Sequence, residues 1–216
     1  MANEKILILE APWSFTIADT SATREIYSSA ETLLSIHPEP VRIIQRPLVS
    51  TTYLDDIKQF VSLECNKRGP NIVVLSSHGC HTLVLRGNAK KHRRELRGFD
   101  DSINISVEIR RLTDSLKRTI FILDACEVGE NISSFREAAG AAGAVGFSET
   151  VDWIDSSVFV LALLLKFQSS GVFHMKRART STGVTTPKAE KVVQEMKLGP
   201  YKSLMKSLSV QYSFGT

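Results

Sequence analysis

Cysteine is scarce in this chain of 216 residues: Cys65, Cys80 and Cys126 are the only three, an odd number with no metal-type spacing. No N-terminal signal peptide precedes them, so the expectation is free thiols in a reducing cytoplasm rather than a disulfide framework. Long apolar runs are missing too. The longest, residues 158–165, stops at Lys166, far too short to span a bilayer; it reads as a buried helix, with no membrane as partner. After the first apolar run comes Glu10-Ala11-Pro12-Trp13, without the glycines a pyrophosphate needs to approach the backbone, which argues against a nucleotide enzyme. Charge of one sign is not in great excess: the net charge is +4, much of it in the stretch Lys90-Lys91-His92-Arg93-Arg94-Glu95-Leu96-Arg97. A solvated loop is the more common reading of such a stretch, and nucleic acid is not the expected partner. Repeats, linkers and low-complexity segments are absent. Hydrophobic content of 43% and charged content of 23% are ordinary for globular proteins, and the length suits one domain, residues 1–216, with a single core.

What is present is an alternation of short apolar runs and amphipathic segments. Lys5-Ile6-Leu7-Ile8-Leu9 reads as a buried strand, and Ile26, Ala30, Leu33 and Leu34 have helical spacing. Val41-Arg42-Ile43-Ile44 restarts a strand, Ile57, Phe60, Val61 and Glu64 continue as a helix, and Gly69-Pro70 marks its end. A third strand runs through Asn71-Ile72-Val73-Val74-Leu75. Residues 86–101 read as an exposed basic insertion, with Thr82-Leu83-Val84-Leu85 as a hairpin arm before it. Ile105, Ile109, Leu112 and Leu116 fit a helix with Ser106 as N-cap, although Ile103, Ile105, Val107 and Ile109 also alternate like a strand. Another strand, Thr119-Ile120-Phe121-Ile122-Leu123, leads to Cys126. Ser133 is the expected cap of a helix that Gly143 ends, Ala144-Val145-Gly146-Phe147 reads as a strand, and Asp155 or Ser156 as the cap of the long apolar helix. A last helix has Pro187 in its first turn and Gly199 just past its end. Met196, Tyr201, Leu204, Met205 and Leu208 read as core packing. The rhythm predicts an α/β fold with a mostly parallel sheet covered on both faces.

Two of these strands stop at reactive side chains, at Ser76-Ser77-His78-Gly79 and at Asp124-Ala125-Cys126-Glu127. Ligands collect at the carboxyl ends of parallel strands, and a cysteine nucleophile needs a base that is near in space. His78 and Cys126 are therefore candidates to meet across one crevice. Cys80 and His81 adjoin His78, but neighbouring residues point apart and no fourth ligand is suitably spaced, so no metal or other cofactor is expected. The histidine lies 48 residues upstream of the cysteine, close to the separation of about 50 in caspases.

The local words resemble those of the caspase-like cysteine peptidases of clan CD, most closely the branch with separase and the bacterial CHAT domains, with metacaspases next. Gly143-Ala144-Val145-Gly146-Phe147-Ser148-Glu149-Thr150-Val151-Asp152, the apolar helix and Ser170-Gly171-Val172-Phe173 are similar to a third CHAT segment. The resemblance spans roughly residues 70–178. It departs where Glu149 and Thr150 replace Trp and Pro, and the tail from about residue 180 has no counterpart. It implies a three-layer α/β/α sandwich and a cysteine endopeptidase with Cys126 as nucleophile and His78 as general acid/base. The backbone amides of Gly79 and Cys126 would form the oxyanion hole, and a protein would be the substrate. At the places that read the P1 side chain stand Asp124, Asp152 and Glu149, with no arginine between Glu137 and Lys166, so cleavage after Arg or Lys is expected. The plainer reading is that Asp152 or Asp155 caps a helix and Asp124 holds a loop. With a basic P1, Arg93, Arg94 and Arg97 become candidates for self-cleavage. The resemblance further implies an effector switched on by a separate sensor or activator protein, as in bacterial antiviral defence. The rival readings are a catalytically silent caspase-like interaction domain and a flavodoxin-like regulatory domain.

Overall fold

The computed structural model describes residues 4–11, 24–38, 40–63, 70–86, 89–174, 179–180, 183–184 and 187–215. Cys65 and Glu64 lie outside the described residues, as do the side chains of His92 and His174. The central sheet has six strands in the order β11-β8-β7-β3-β1-β2. These are β1 (Glu4–Glu10), β2 (Val41–Pro47), β3 (Asn71–Ser76), β7 (Thr119–Asp124), β8 (Gly143–Phe147) and β11 (Val210–Phe214). All pairings are parallel except that of β11 with β8.

Side chains alternate between the two faces of a strand, and here both faces are buried, so β3 and β7 are buried at every position. Ile6, Ile8, Ile72, Val74, Ile120 and Ile122 belong to one apolar cluster, and Leu7, Leu9, Val73, Leu75, Phe121 and Leu123 to the other. The first lies under α1 (Arg24–Ile36), α5 (Trp153–Ser169), α6 (Pro187–Leu198) and α7 (Lys202–Ser207). The second lies under α2 (Tyr53–Ser62), the segment α3 (Ile105–Glu108) with its 3-10 continuation Ile109–Ser115, and α4 (Ile132–Ala139). The result is the expected three-layer α/β/α sandwich.

Several local expectations need correction. The basic stretch is not a loop: β4 (Gly79–Arg86), β5 (Ala89–Arg97) and β6 (Ser102–Asn104) form a separate antiparallel sheet. Its alternation was hidden because one inward residue is an arginine: Arg94 and Leu96 are buried while Arg93 and Arg97 are exposed. Ser106 does not cap α3; Asn104 holds that position, and the buried Ser106 hydroxyl accepts from Arg94 N at 3.0 Å. Asn131 rather than Ser133 precedes α4, and Gly140 rather than Gly143 ends it. Asp152 caps α5, its carboxylate accepting from the amides of Ile154 and Asp155. On α1 the buried positions are Tyr27, Ala30 and Leu34, with Leu33 turned outward. Beyond the short pair β9 (Arg179–Thr180) and β10 (Gly183–Val184), the tail completes the fold: α6 begins at Pro187 and ends before Gly199, and β11 closes one edge of the sheet. Met196, Met205 and Leu208 are core residues, as expected, with Tyr201 and Leu204 packed against them. No described helix is long and apolar enough to cross a membrane.

Candidate active site

Strands β3 and β7 are adjacent and parallel, with Ser76 opposite Asp124 at their carboxyl ends. The ladder continues one step, since Ser77 N donates to Asp124 O at 3.1 Å. His78 and Cys126 each lie two residues past that registered pair, so neighbouring strands deliver both to the same edge of the sheet. His78 stands at the corner where the chain leaves the central sheet for β4, and it is exposed. The corner is pinned: Arg97 N donates to His78 O at 2.9 Å, and the Ser77 hydroxyl donates to Arg97 O.

Gly79 explains how closely the two ends approach. A β-carbon there would stand 2.9 Å from Ala125 Cβ and 3.0 Å from Cys126 O, so only glycine lets β4 pass this near the Cys126 segment. Because His78 and Arg97 form a hydrogen-bonded pair, the next pair, Gly79 with Leu96, is a non-bonded one. The Gly79 amide therefore points away from β5.

Cys126 is 4% exposed and packs in the α1/α5 core cluster. Val151 N donates toward its sulfur at 3.5 Å, and the thiol faces Val151 O at 3.7 Å. Burial pushes the thiol above its ordinary pKa, and the carboxylates of Glu127 and Asp124 push it further, against the Val151 amide. The resting thiol is therefore protonated at neutral pH. The next residue, Glu127, has φ +61°, and Val128 N donates back to Cys126 O at 2.7 Å. This is a γ-turn with positive φ, a strained form for a residue other than glycine. Glu127 accepts from Thr150 Oγ1 at 3.2 Å, and Gly129 N donates to Phe147 O at 2.7 Å, which ties the turn to β8.

The three acidic candidates fall in different places. Asp124 is fully buried, and its Oδ2 accepts from Tyr27 at 2.7 Å and from Ser76 at 2.8 Å. Burial pushes this carboxyl up from its ordinary value, against the hydrogen bonds of Tyr27, Ser156 and Ser76, and the charge of Glu10 adds to the rise. Asp152 is exposed at the start of α5, where its carboxylate is engaged as the cap. Glu149 is exposed, and its carbonyl accepts from Glu127 N at 3.0 Å.

Sequence reasoning missed Glu10. It lies opposite Ser76 in the β1–β3 register, so Glu10, Ser76 and Asp124 form one row across three strand ends. Glu10 is 8% exposed and accepts from Gln45 Nε2 at 2.6 Å. The signal was present: a charged residue ends the apolar run Ile6–Leu9, at the sheet edge where His78 and Cys126 also lie. Among the described residues no group of three or more His, Cys, Asp or Glu is placed to hold a metal ion.

No protein-family model matches the chain, and no curated protein sequence does either. Solved structures do match. The Drosophila initiator caspase Dronc superposes with a TM-score of 0.50 at 8% identity, over 99% of this chain and 80% of the caspase. The fold is caspase-like. A secreted C11 cysteine protease from Bacteroides thetaiotaomicron, solved with an irreversible peptide inhibitor, superposes with a TM-score of 0.48 at 14% identity. That match covers 88% of this chain, and the chain spans 57% of the protease's length. In a caspase-like fold the edge that carries His78 and Cys126 is the carboxyl edge of the parallel sheet, the usual place for ligands in open α/β sheets.

Proposed function

We propose that the chain is a cysteine endopeptidase of the caspase-like type, with Cys126 as nucleophile and His78 as general acid/base. The observation that carries this reading is the registered pair of parallel strands β3 and β7, which end together and leave Gly79 against the carbonyl of Cys126. In the reaction the thiol gives its proton to His78, and sulfur adds to the scissile carbonyl. The amides of Gly79 and Cys126 stabilise the oxyanion. His78 then protonates the leaving amine as the C–N bond breaks, and a water activated by His78 hydrolyses the acyl-enzyme.

Cleavage after Arg or Lys would rest on the exposed carboxylates of Glu149 and Asp152, with Asp124, fully buried and held by Tyr27 and Ser76, out of direct reach of a P1 side chain. Self-cleavage fits Arg93 and Arg97, which are exposed; Arg94 is 1% exposed and unavailable to an active site. A CHAT-type effector with a separate sensor or activator, of the kind used in antiviral defence, rests on the motif words at residues 76–79, 124–127 and 143–152. One observation favours a second reading, a silent interaction domain: the thiol is buried and protonated at rest.

A peptidyl electrophile with Arg at P1 separates the two. Labelling of Cys126 that disappears in His78→Ala supports the peptidase. Absence of labelling after incubation with candidate activators, in protein that is folded by circular dichroism, overturns it in favour of the silent domain.

A further inference from the structure

Arg94 reaches from β5 into the turn that follows Cys126. Its Nε donates to Val128 O at 2.9 Å, and its Nη2 donates to Glu130 O at 2.5 Å, Asn131 O at 2.8 Å and Ser134 Oγ at 3.1 Å. Nη1 stands 3.5 Å from Ser106 Oγ. Every one of these acceptors is an uncharged oxygen. Burial pushes the guanidinium down to about 10, with the nearby charge of Glu130 working the other way, so it stays a cation at neutral pH. Among the described residues no carboxylate forms an ion pair with it; a buried cation so placed is costly, and apolar packing would fill the same volume more cheaply.

The turn is unusual in its own right. Glu127 at φ +61° and Asn131 at φ +47° bracket the carbonyls that Arg94 holds. The same hairpin grips the turn from β4 as well, where His81 Nδ1 lies 2.7 Å from Glu130 Oε2 and the His81 amide 3.5 Å from Glu127 Oε2. The hairpin also fixes the His78 corner, through Arg97 N to His78 O.

We propose that Arg94 is a positioning residue: its planar fork holds residues 127–131 in the strained form that aims the Cys126 amide and thiol, so that one hairpin aligns both halves of the dyad. This rests on the peptidase reading above. A lysine cannot replace the fork, because a point charge does not address several carbonyls at once. A cut within β5 would release the latch, so self-cleavage after Arg93 or Arg97 would silence the enzyme.

The test uses Arg94→Ala, Arg94→Lys and Arg94→Met in the full chain with Cys65→Ser and Cys80→Ser, so that Cys126 is the only thiol. Two readouts are taken: kcat and KM on a peptide with Arg at P1, and the pH profile of Cys126 alkylation by iodoacetamide, which needs no peptidase activity. Loss of charged hydrogen bonds predicts a fall in kcat of about tenfold to a hundredfold, with KM changed less than about twofold. Millimolar guanidinium should restore kcat in Arg94→Ala but not in Arg94→Met, whose side chain fills the space. The alkylation midpoint should move down toward that of free cysteine as the thiol leaves its buried place. Arg94→Met keeps the volume and serves if Arg94→Ala does not fold. An unchanged alkylation profile in folded Arg94→Met overturns the proposal, and it does so even if the parent cleaves no peptide.

Discussion

Burial sets the chemistry of Cys126 and Asp124, while His78 is exposed at the same edge of the sheet. The thiol, raised by desolvation and two carboxylates, should react slowly with iodoacetamide at neutral pH and speed up only above the ordinary thiol range. In Cys65→Ser/Cys80→Ser protein, a rate at pH 7 matching that of free cysteine would contradict this environment. For Asp124, burial makes the folded state prefer the protonated acid. That preference stabilises the fold fully below the unfolded pKa of about 4 and is lost as pH rises through the higher folded value. Asp124→Asn is neutral throughout, so the thermal midpoint of wild type should fall relative to the variant as pH rises from about 4 toward 7. The placement of His78, Cys126 and Asp124 at neighbouring strand ends was readable in the sequence, because each ends or follows an apolar run. Glu10 was not picked out, because its relation to Asp124 passes through Ser76 on the strand between them.

At the scale of elements, the close passage of β4 and of the turn after Cys126 depends on two glycines. Gly79→Ala would place a methyl 2.9 Å from Ala125 Cβ and Val128 Cγ1, side-chain atoms with limited room to give. Gly129→Ala would place one 2.4 Å from Phe147 N and 2.5 Å from Gly146 C, backbone that cannot move without breaking β8. Both should destabilise, by about 1–3 kcal/mol for Gly79→Ala and more for Gly129→Ala, as overpacking does. Thermal unfolding checks the order, and Gly129→Ala as stable as wild type would show that the turn does not pack as described. Element types were largely legible, since apolar runs bounded by turn signals fell on strands. The basic stretch was misread for a physical reason. Inward-facing positions normally betray a strand by being apolar, and Arg94 broke that alternation by hydrogen-bonding carbonyls far away in sequence.

For the whole molecule, the decisive addition is β11, which makes the tail part of the central sheet. Val210-Gln211-Tyr212-Ser213-Phe214 alternates in the sequence, yet alternation over five residues does not say which edge it will join. Removing residues 210–216 should uncover the edge of β8, a fully buried strand, and exposed edges pair with other chains. Light scattering should show association at concentrations where the full chain stays dispersed; a monomeric truncated protein with an unchanged melting temperature would refute this. Local pattern determined the α/β alternation, the strands that end at His78 and Cys126, and the family of folds to which those words point. That information is carried by near-neighbour periodicity and turn chemistry, which any stretch of chain displays alone. Only the tertiary structure decided that Glu10 joins Asp124 in one row, that Arg94 hydrogen-bonds the turn after Cys126, and that the Cys126 thiol rests buried against Val151. Each of these is a contact between segments remote along the chain, fixed by sheet register and desolvation, which exist only once the sheet has formed.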